Sequence, residues 1–239
     1  MKALILNSGL GSRLGAATKN HPKCMTKLSE GETILGRQLG MLHKAGVENI
    51  VITTGFFDRV LMDYCDSLEV PEKIEFVHNP VYGETNYIYS IYCAREKLKD
   101  DILLLHGDLV FEQEAINCIV NSDVSCMAAA PQKTLPEKDF KAVVLEGRIV
   151  KIGVECFENA VAVQPLYLLK KKDWKIWLES ICRFCEAGKR NCYAEDAFNE
   201  VSDHCFIYPK DVGDLLCQEV DDQKDLRQVR DMLGSQGAL

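Results

Sequence analysis

The stretch Ala3-Leu-Ile-Leu-Asn7-Ser8-Gly9-Leu-Gly11-Ser12-Arg13-Leu-Gly15 opens with four apolar residues and passes straight into a glycine-rich turn. The apolar run reads as a short buried strand. Glycines directly after such a strand let backbone N–H groups come close to an anion. Gly9, Gly11 and Gly15 do not satisfy G-x-G-x-x-G, and no Gly-Lys-Ser/Thr follows, so the turn is neither a dinucleotide fingerprint nor a Walker loop. Taken alone, these glycines fit a tight turn as well as a ligand loop. Arg13 and the downstream Pro22-Lys23 tip the balance, because two cations on one loop suit a triphosphate. Arg13 can grip phosphate oxygens with its planar fork, and Lys23 can act as a point charge near the α-phosphate.

Working outward, strand and helix patterns alternate. Ile34–Ala45 carries apolar residues at helical spacing and ends at Gly46, Asn49–Thr54 is β-branched, Arg59–Leu68 is helical, and Ile74–Asn79 is strand-like. Asn86–Lys99 reads as a helix and Ile102–Leu105 as another strand buried on both faces. Alternation of this kind predicts a parallel sheet with right-handed crossovers. The second half is less regular. It holds a strand over Asp123–Ala130, a polar loop over Pro131–Asp139, and a hairpin over Lys141–Ile152 turning at Glu146-Gly147. A strand over Val161–Leu169 follows, with helices over Trp174–Ala187, Tyr193–Val201 and Asp222–Leu233. No repeat or linker interrupts the pattern, which predicts one domain over residues 1–239.

A formal charge of −8 argues against a nucleic-acid backbone as partner. No apolar run approaches the length of a membrane span. The eleven cysteines follow no targeting segment, which points to a reducing cytoplasm rather than a disulfide framework. Cys182-Arg-Phe-Cys185 is the one C-x-x-C; lying in a helix with no second pair, it reads as core or surface thiols.

The coupled opening motifs, Leu6-Asn-Ser-Gly-Leu-Gly-Ser-Arg13 and His21-Pro-Lys-Cys-Met25, resemble those of the nucleotidyltransferases that activate sugars, choline phosphate and phosphonates. The resemblance implies a Rossmann-like, GT-A-like α/β fold with a mixed, mostly parallel sheet flanked by helices. It implies a nucleotide site at Asn7, Ser8, Gly9, Gly11, Ser12, Arg13 and Lys23, with catalytic roles for Arg13, Lys23 and Asp108. Leu103-Leu-Leu-His-Gly-Asp108 ends a strand in an aspartate where the family keeps a metal ligand. Glu219-Val-Asp221-Asp-Gln-Lys-Asp is similar to the family's late acidic motif, which maps the second ligand onto Asp221, with Asp222 as fallback. Helix capping is the structural alternative at each position. Two carboxylates sharing a hard cation suit Mg²⁺.

Tyr82-Gly-Glu-Thr-Asn86-Tyr-Ile-Tyr-Ser90 resembles a segment of the choline phosphate cytidylyltransferase branch, and the sugar branch's E-K-P motif is missing from Lys151-Ile-Gly-Val-Glu-Cys156. This favours CTP, with Asn86 and Ser90 facing the base or ribose, or else serving as a helix cap and a solvated hydroxyl. Asp139, Ala194 and Glu195 stand where that branch's cage aromatics are expected, beside Asp196. Carboxylates there suit a primary ammonium better than a quaternary one, or else are solvated surface acids, with a place near the metal as a further alternative for Asp196; Lys133 and Lys141 either hold the acceptor's phosphonate or face solvent. The Asn-Ser-Gly opening also looks like the 2-aminoethylphosphonate cytidylyltransferases. The expected acceptor is therefore a small phosphonate or phosphate monoester, 2-aminoethylphosphonate first, choline phosphate second and a sugar 1-phosphate third. A glycosyltransferase or a non-catalytic nucleotide-binding module is the alternative class, although His106-Gly-Asp108 lacks the first Asp of D-x-D.

Overall fold

A computed structural model describes residues 1–9, 14–15, 18–68, 70–71 and 73–236. Arg13, Gly11 and Ser12, assigned to the nucleotide loop above, lie outside the described residues.

In chain order the elements are β1 (Lys2–Leu6), α1 (Ile34–Lys44), β2 (Asn49–Thr54), α2 (Asp58–Ser67), β3 (Lys73–His78), α3 (Tyr87–Ala94), β4 (Ile102–His106) and β5 (Leu109–Phe111). There follow α4 (Gln113–Val120), β6 (Cys126–Ala130), β7 (Lys141–Leu145), β8 (Arg148–Gly153), β9 (Ala160–Leu169), α5 (Lys171–Glu186), α6 (Ala194–Asn199), β10 (Tyr208–Asp211), β11 (Cys217–Glu219) and α7 (Gln223–Gln236). The main sheet runs β10-β6-β9-β4-β1-β2-β3, with the β7–β8 hairpin attached to β9. β4, β1, β2 and β3 pair parallel, as do β6 and β10, while β9 runs against both β4 and β6. The sheet is therefore mixed and mostly parallel, with helices on both faces.

Period-two alternation along the strands divides the interior into two cores. Leu4, Leu6, Val51, Leu104 and Tyr167 face α3, α5 and α6. Ala3, Ile5, Ile52, Leu103, Leu105 and Leu168 face α1, α2 and α4. β1 and β4 are covered on both sides, which explains why their sequences are continuously apolar. Trp174 and Trp177 are packing residues: each is buried, and their indole N–H groups donate to the carbonyls of Leu98 and Ala194. The hairpin turns at Glu146-Gly147 as expected, both residues having positive φ (51° and 76°), the mirror-image turn geometry that matches strand twist.

β5, α4, β10 and β11 are elements beyond those expected from the sequence pattern. β5 pairs with β11 in a small two-stranded sheet of its own, joining residues more than a hundred positions apart. α7 closes over this ribbon, with Val110, Leu216, Val220, Leu226 and Val229 in a third, smaller cluster. All eleven cysteines are free thiols. No helix among the described residues is long and apolar enough to cross a membrane.

Candidate active site

β1 and β4 lie side by side and end at the same edge of the sheet, with β2 on the far side of β1. Ligands of open α/β sheets sit at this carboxyl edge, where connections diverge. After β1, the backbone N–H of Asn7 and the Ser8 hydroxyl both donate to Thr53 Oγ1 of β2, at 3.1 and 2.9 Å. After β4, the Gly107 N–H donates to the Leu6 carbonyl. A Cβ on Gly107 would fall 1.6 Å from Asn7 Oδ1 and 2.9 Å from the Leu6 carbonyl oxygen, so only glycine lets the two strand ends close together. Asn7 is buried, and its Nδ2 donor has no partner among the described residues. Such an orphaned donor at the wall of a cleft is a ready group for a ligand acceptor.

The charged centre forms where the β4 end meets the β11 end. Lys23 Nζ lies 2.5 Å from Asp108 Oδ2 and 2.6 Å from Asp221 Oδ1. These three residues come from the beginning, middle and end of the chain, and the join between the last two is held by the Val220 N–H donating to the Asp108 carbonyl at 3.0 Å. Burial works against the Lys23 ammonium, but Asp108 and Asp221 outweigh it and hold its pKa above the ordinary lysine value. Burial also disfavours the Asp108 carboxylate, yet Lys23 and His106 keep its pKa below the usual aspartate value. Asp222, the fallback ligand, is a cap instead. Its carboxylate accepts from the N–H groups of Lys224 and Asp225, while Asp225 accepts from those of Asp221 and Asp222. This reciprocal cap starts α7 and leaves the Asp221 side chain turned to Lys23.

Two further residues stand at the centre that the sequence reading passed over. His106 Nδ1–H donates to Glu219 Oε1 at 2.8 Å, and His106 Nε2 is buried with no partner among the described residues. Burial opposes the His106 charge, but the bond to Glu219 raises its pKa to about 9; burial beside Asp108 pushes Glu219 up as well. The signal was spacing. His106 precedes Asp108 by two positions and Glu219 precedes Asp221 by two, so β4 and β11 each end on a residue whose partner aspartate stands just beyond the strand. One ligand-type atom each from His106, Asp108 and Glu219 lies within 4.8 Å of the others. Asp108 and Asp221 offer the hard oxygen donors that Mg²⁺ takes, whereas His106 Nδ1 is committed to Glu219.

A cleft of about 480 Å³ extends from this centre in both directions. Toward β3 it is walled by Asn7, Ser8, Gly9, Tyr82, Thr85, Asn86 and Ser90. Asn86 caps α3, its Oδ1 accepting from the Tyr87 N–H, and it also lines the cleft. Ser90 is buried rather than solvated. Asn79 Nδ2 donates to both Ser90 and Thr85, which pins the loop between β3 and α3.

At the other end the cleft meets Lys138, Asp139, Phe140, Val154, Asn191 and Tyr193. Here several expectations need correction. Glu195 does not reach the cleft. It is 1% exposed, and its carboxylate accepts from the Tyr167 hydroxyl at 2.8 Å and from that of Tyr87. Asp196 caps α6 through the Tyr193 N–H. Lys141 is fully buried and spends its ammonium on the carbonyls of Pro136 and Asp139, over the Phe157 ring. Lys133 is exposed and outside the cleft wall. Asp139 does line it, and burial, with Asp221 and Asp225 nearby, raises its pKa. Nor is this end bare of aromatics: Tyr87 packs against His106 at 4.8 Å and Tyr193 at 6.0 Å, and Phe140 against Tyr193 at 5.1 Å. Single positions in the sequence do not reveal them, because the rings come from three different segments.

Residues 3–229 match the MobA-like NTP transferase domain. The chain belongs to that family. As a MobA-like NTP transferase it is similar to the CMP-5'-(3-aminopropyl)phosphonate synthase of Streptomyces rubellomurinus, 29% identical over 96% of this chain and 38% of that protein. It is also 29% identical to the CTP:phosphoglutamine cytidylyltransferase of Campylobacter jejuni, over 51% of this chain and 49% of that one. The transferase chain thus spans half or less of the length of these relatives. In fold it is similar to the inositol-1-phosphate CTP transferase of T. maritima, with a TM-score of 0.81, 23% identity, and 98% and 94% of the two chains covered.

Proposed function

We propose that this MobA-like transferase, acting as one unit over residues 1–239 in a reducing cytoplasm, moves CMP from CTP onto a small aminophosphonate, 2-aminoethylphosphonate being the first candidate. The observation that carries the reading is the convergence of Lys23, Asp108 and Asp221 at the mouth of a cleft with a polar nucleotide end and an aromatic, acidic acceptor end. The nature of the relative that aligns over nearly the whole chain supports it.

In this reading the nucleotide lies toward Asn86, Thr85 and Tyr82, and its phosphates lie over the turn after β1, where Lys23 and Arg13 stabilise charge as pyrophosphate departs. Asp108 and Asp221 would hold Mg²⁺, which supplies charge neutralisation at the α-phosphate. A phosphonate oxygen bonds to the α-phosphorus in line with the breaking bond to the bridging oxygen of pyrophosphate. The acceptor group needs no general base because it is already largely anionic near neutral pH; the second pKa of a phosphate monoester is about 6. Asp139 pairs with the acceptor's ammonium, and Phe140 and Tyr193 cover its methylenes. Those same rings support one second reading, choline phosphate, through cation–π attraction to a quaternary ammonium.

Pyrophosphate release measured for the four ribonucleoside triphosphates against 2-aminoethylphosphonate, choline phosphate and glucose 1-phosphate tests the proposal. CTP with 2-aminoethylphosphonate is expected to give the highest kcat/KM. A clear preference for choline phosphate would replace the acceptor, and CTP binding without pyrophosphate release would replace the enzyme with a binding module.

A further inference from the structure

Asp108 sits in the two-residue turn between β4 and β5, so its carboxylate can be no better placed than that turn. Helix α1 lies behind the turn, and one of its side chains reaches it. Gln38, 1% exposed, donates from Nε2 to the carbonyl of His106 at 2.9 Å and to that of Leu109 at 2.8 Å. These two carbonyls bracket Gly107 and Asp108. The neighbouring Arg37 donates from Nε to the Phe111 carbonyl at 3.1 Å, so α1 holds the segment at three points.

We propose that Gln38 is a positioning residue for the catalytic centre, acting through the turn that carries Asp108. The chemistry of the side chain supports this. An amide nitrogen has two N–H donors, and both are used on the two sides of one turn. Glu at this position would have no donor, and Met would fill the space but leave both carbonyls without these bonds in the packed interior. A turn freed in this way relieves the carbonyls by rotating. That rotation moves Asp108 away from Asp221, its partner on a separate segment, and loosens the Val220 N–H bond to the Asp108 carbonyl. Gln38 itself is not part of the cleft wall, so it contributes no contact to a ligand.

The test compares Gln38→Met with Gln113→Met. Gln113 is a matched control. Its Nε2 also bridges two acceptors, the Met41 carbonyl and Asn117 Oδ1, but it joins α4 to α1 and stays clear of the cleft. Hydrogen exchange of the Gly107 and Val220 amides is read first, because it needs no activity. Protection is expected to fall selectively at these two sites in Gln38→Met and not in Gln113→Met. Kinetics then rest on the cytidylyl-transfer reading. In Gln38→Met, kcat is expected to fall by ten-fold or more, toward the order of 10² that a displacement of about 1 Å costs. KM for CTP should stay near native and half-saturating Mg²⁺ should rise. Unchanged exchange at Gly107 and Val220, or equal losses in both variants, overturns the positioning role. A wild-type protein that turns over no CTP would overturn the proposed function instead, while leaving the exchange result to decide the role of Gln38.

Discussion

Replacing Lys23 with methionine separates the ion pairing this lysine makes from the triphosphate role proposed for it. The ammonium lies 2.5 and 2.6 Å from its two carboxylate oxygens, so these oxygens are no more than about 5 Å apart. At that separation, with an effective dielectric of about 20, two carboxylates repel by roughly 3 kcal/mol. Side-chain exposures of 19% for Asp108 and 28% for Asp221 admit some solvent screening. The expected loss of stability without divalent metal is then about 1–3 kcal/mol, at roughly 2–4 °C in Tm per kcal/mol for a chain of this size. Lys23→Met also removes the cation that competes for those oxygens. Millimolar Mg²⁺ should therefore raise the Tm of the variant more than that of the native protein, and the variant should bind the ion more tightly. Turnover should move the opposite way, falling by about 10²–10³ as the charge on the triphosphate loses its counterpart. Differential scanning calorimetry with and without Mg²⁺, beside pyrophosphate-release kinetics, reads both. An equal Mg²⁺ response in the two proteins would refute the idea that Lys23 shares its carboxylates with a metal, and near-native kcat would refute the triphosphate role.

Gly107→Ala should displace Asn7 and strain the Leu6 carbonyl, costing about 1–3 kcal/mol and most of the activity, with Asn7→Ala restoring only part; a stable, active Gly107→Ala would contradict the packing. Asp222→Ala is expected to lower stability through loss of the α7 cap while kcat stays near native, whereas Asp221→Asn abolishes turnover; paired urea melts and rates distinguish them. Burial raises the Asp139 pKa, so the charged form that attracts an ammonium is lost as pH falls through that raised value. KM for the aminophosphonate should climb more steeply in the native protein than in Asp139→Asn as pH falls through that raised value, protonation of the acceptor itself acting on both alike.

Much of the architecture was legible in local pattern. The β1 run Ala3–Leu6, the β4 run Ile102–Leu105 and the helical spacing after Ile34 announce themselves, because burial on two faces and burial on one stripe leave different periods in the chain. The hairpin at Glu146-Gly147 was legible for the same reason, its backbone demanding residues that tolerate positive φ. The motif positions Lys23, Asp108 and Asp221 could also be picked out one by one. What the sequence did not contain was any contact between segments. β5 pairing with β11, α1 reaching the Asp108 turn through Gln38, and Tyr87, Phe140 and Tyr193 gathering at one end of the cleft are all non-local. So is the fate of the charged candidates. Asp221 and Asp222 are adjacent and chemically identical, and the capping of α7 alone decides that one faces Lys23 and the other the helix backbone. Glu195 and Lys141 look like surface ligands in the sequence, but the fold buries both and satisfies them internally, with two tyrosine hydroxyls and a set of loop carbonyls. A buried charge needs partners wherever it stands, and only the tertiary structure determines whether those partners belong to the protein or to its ligand.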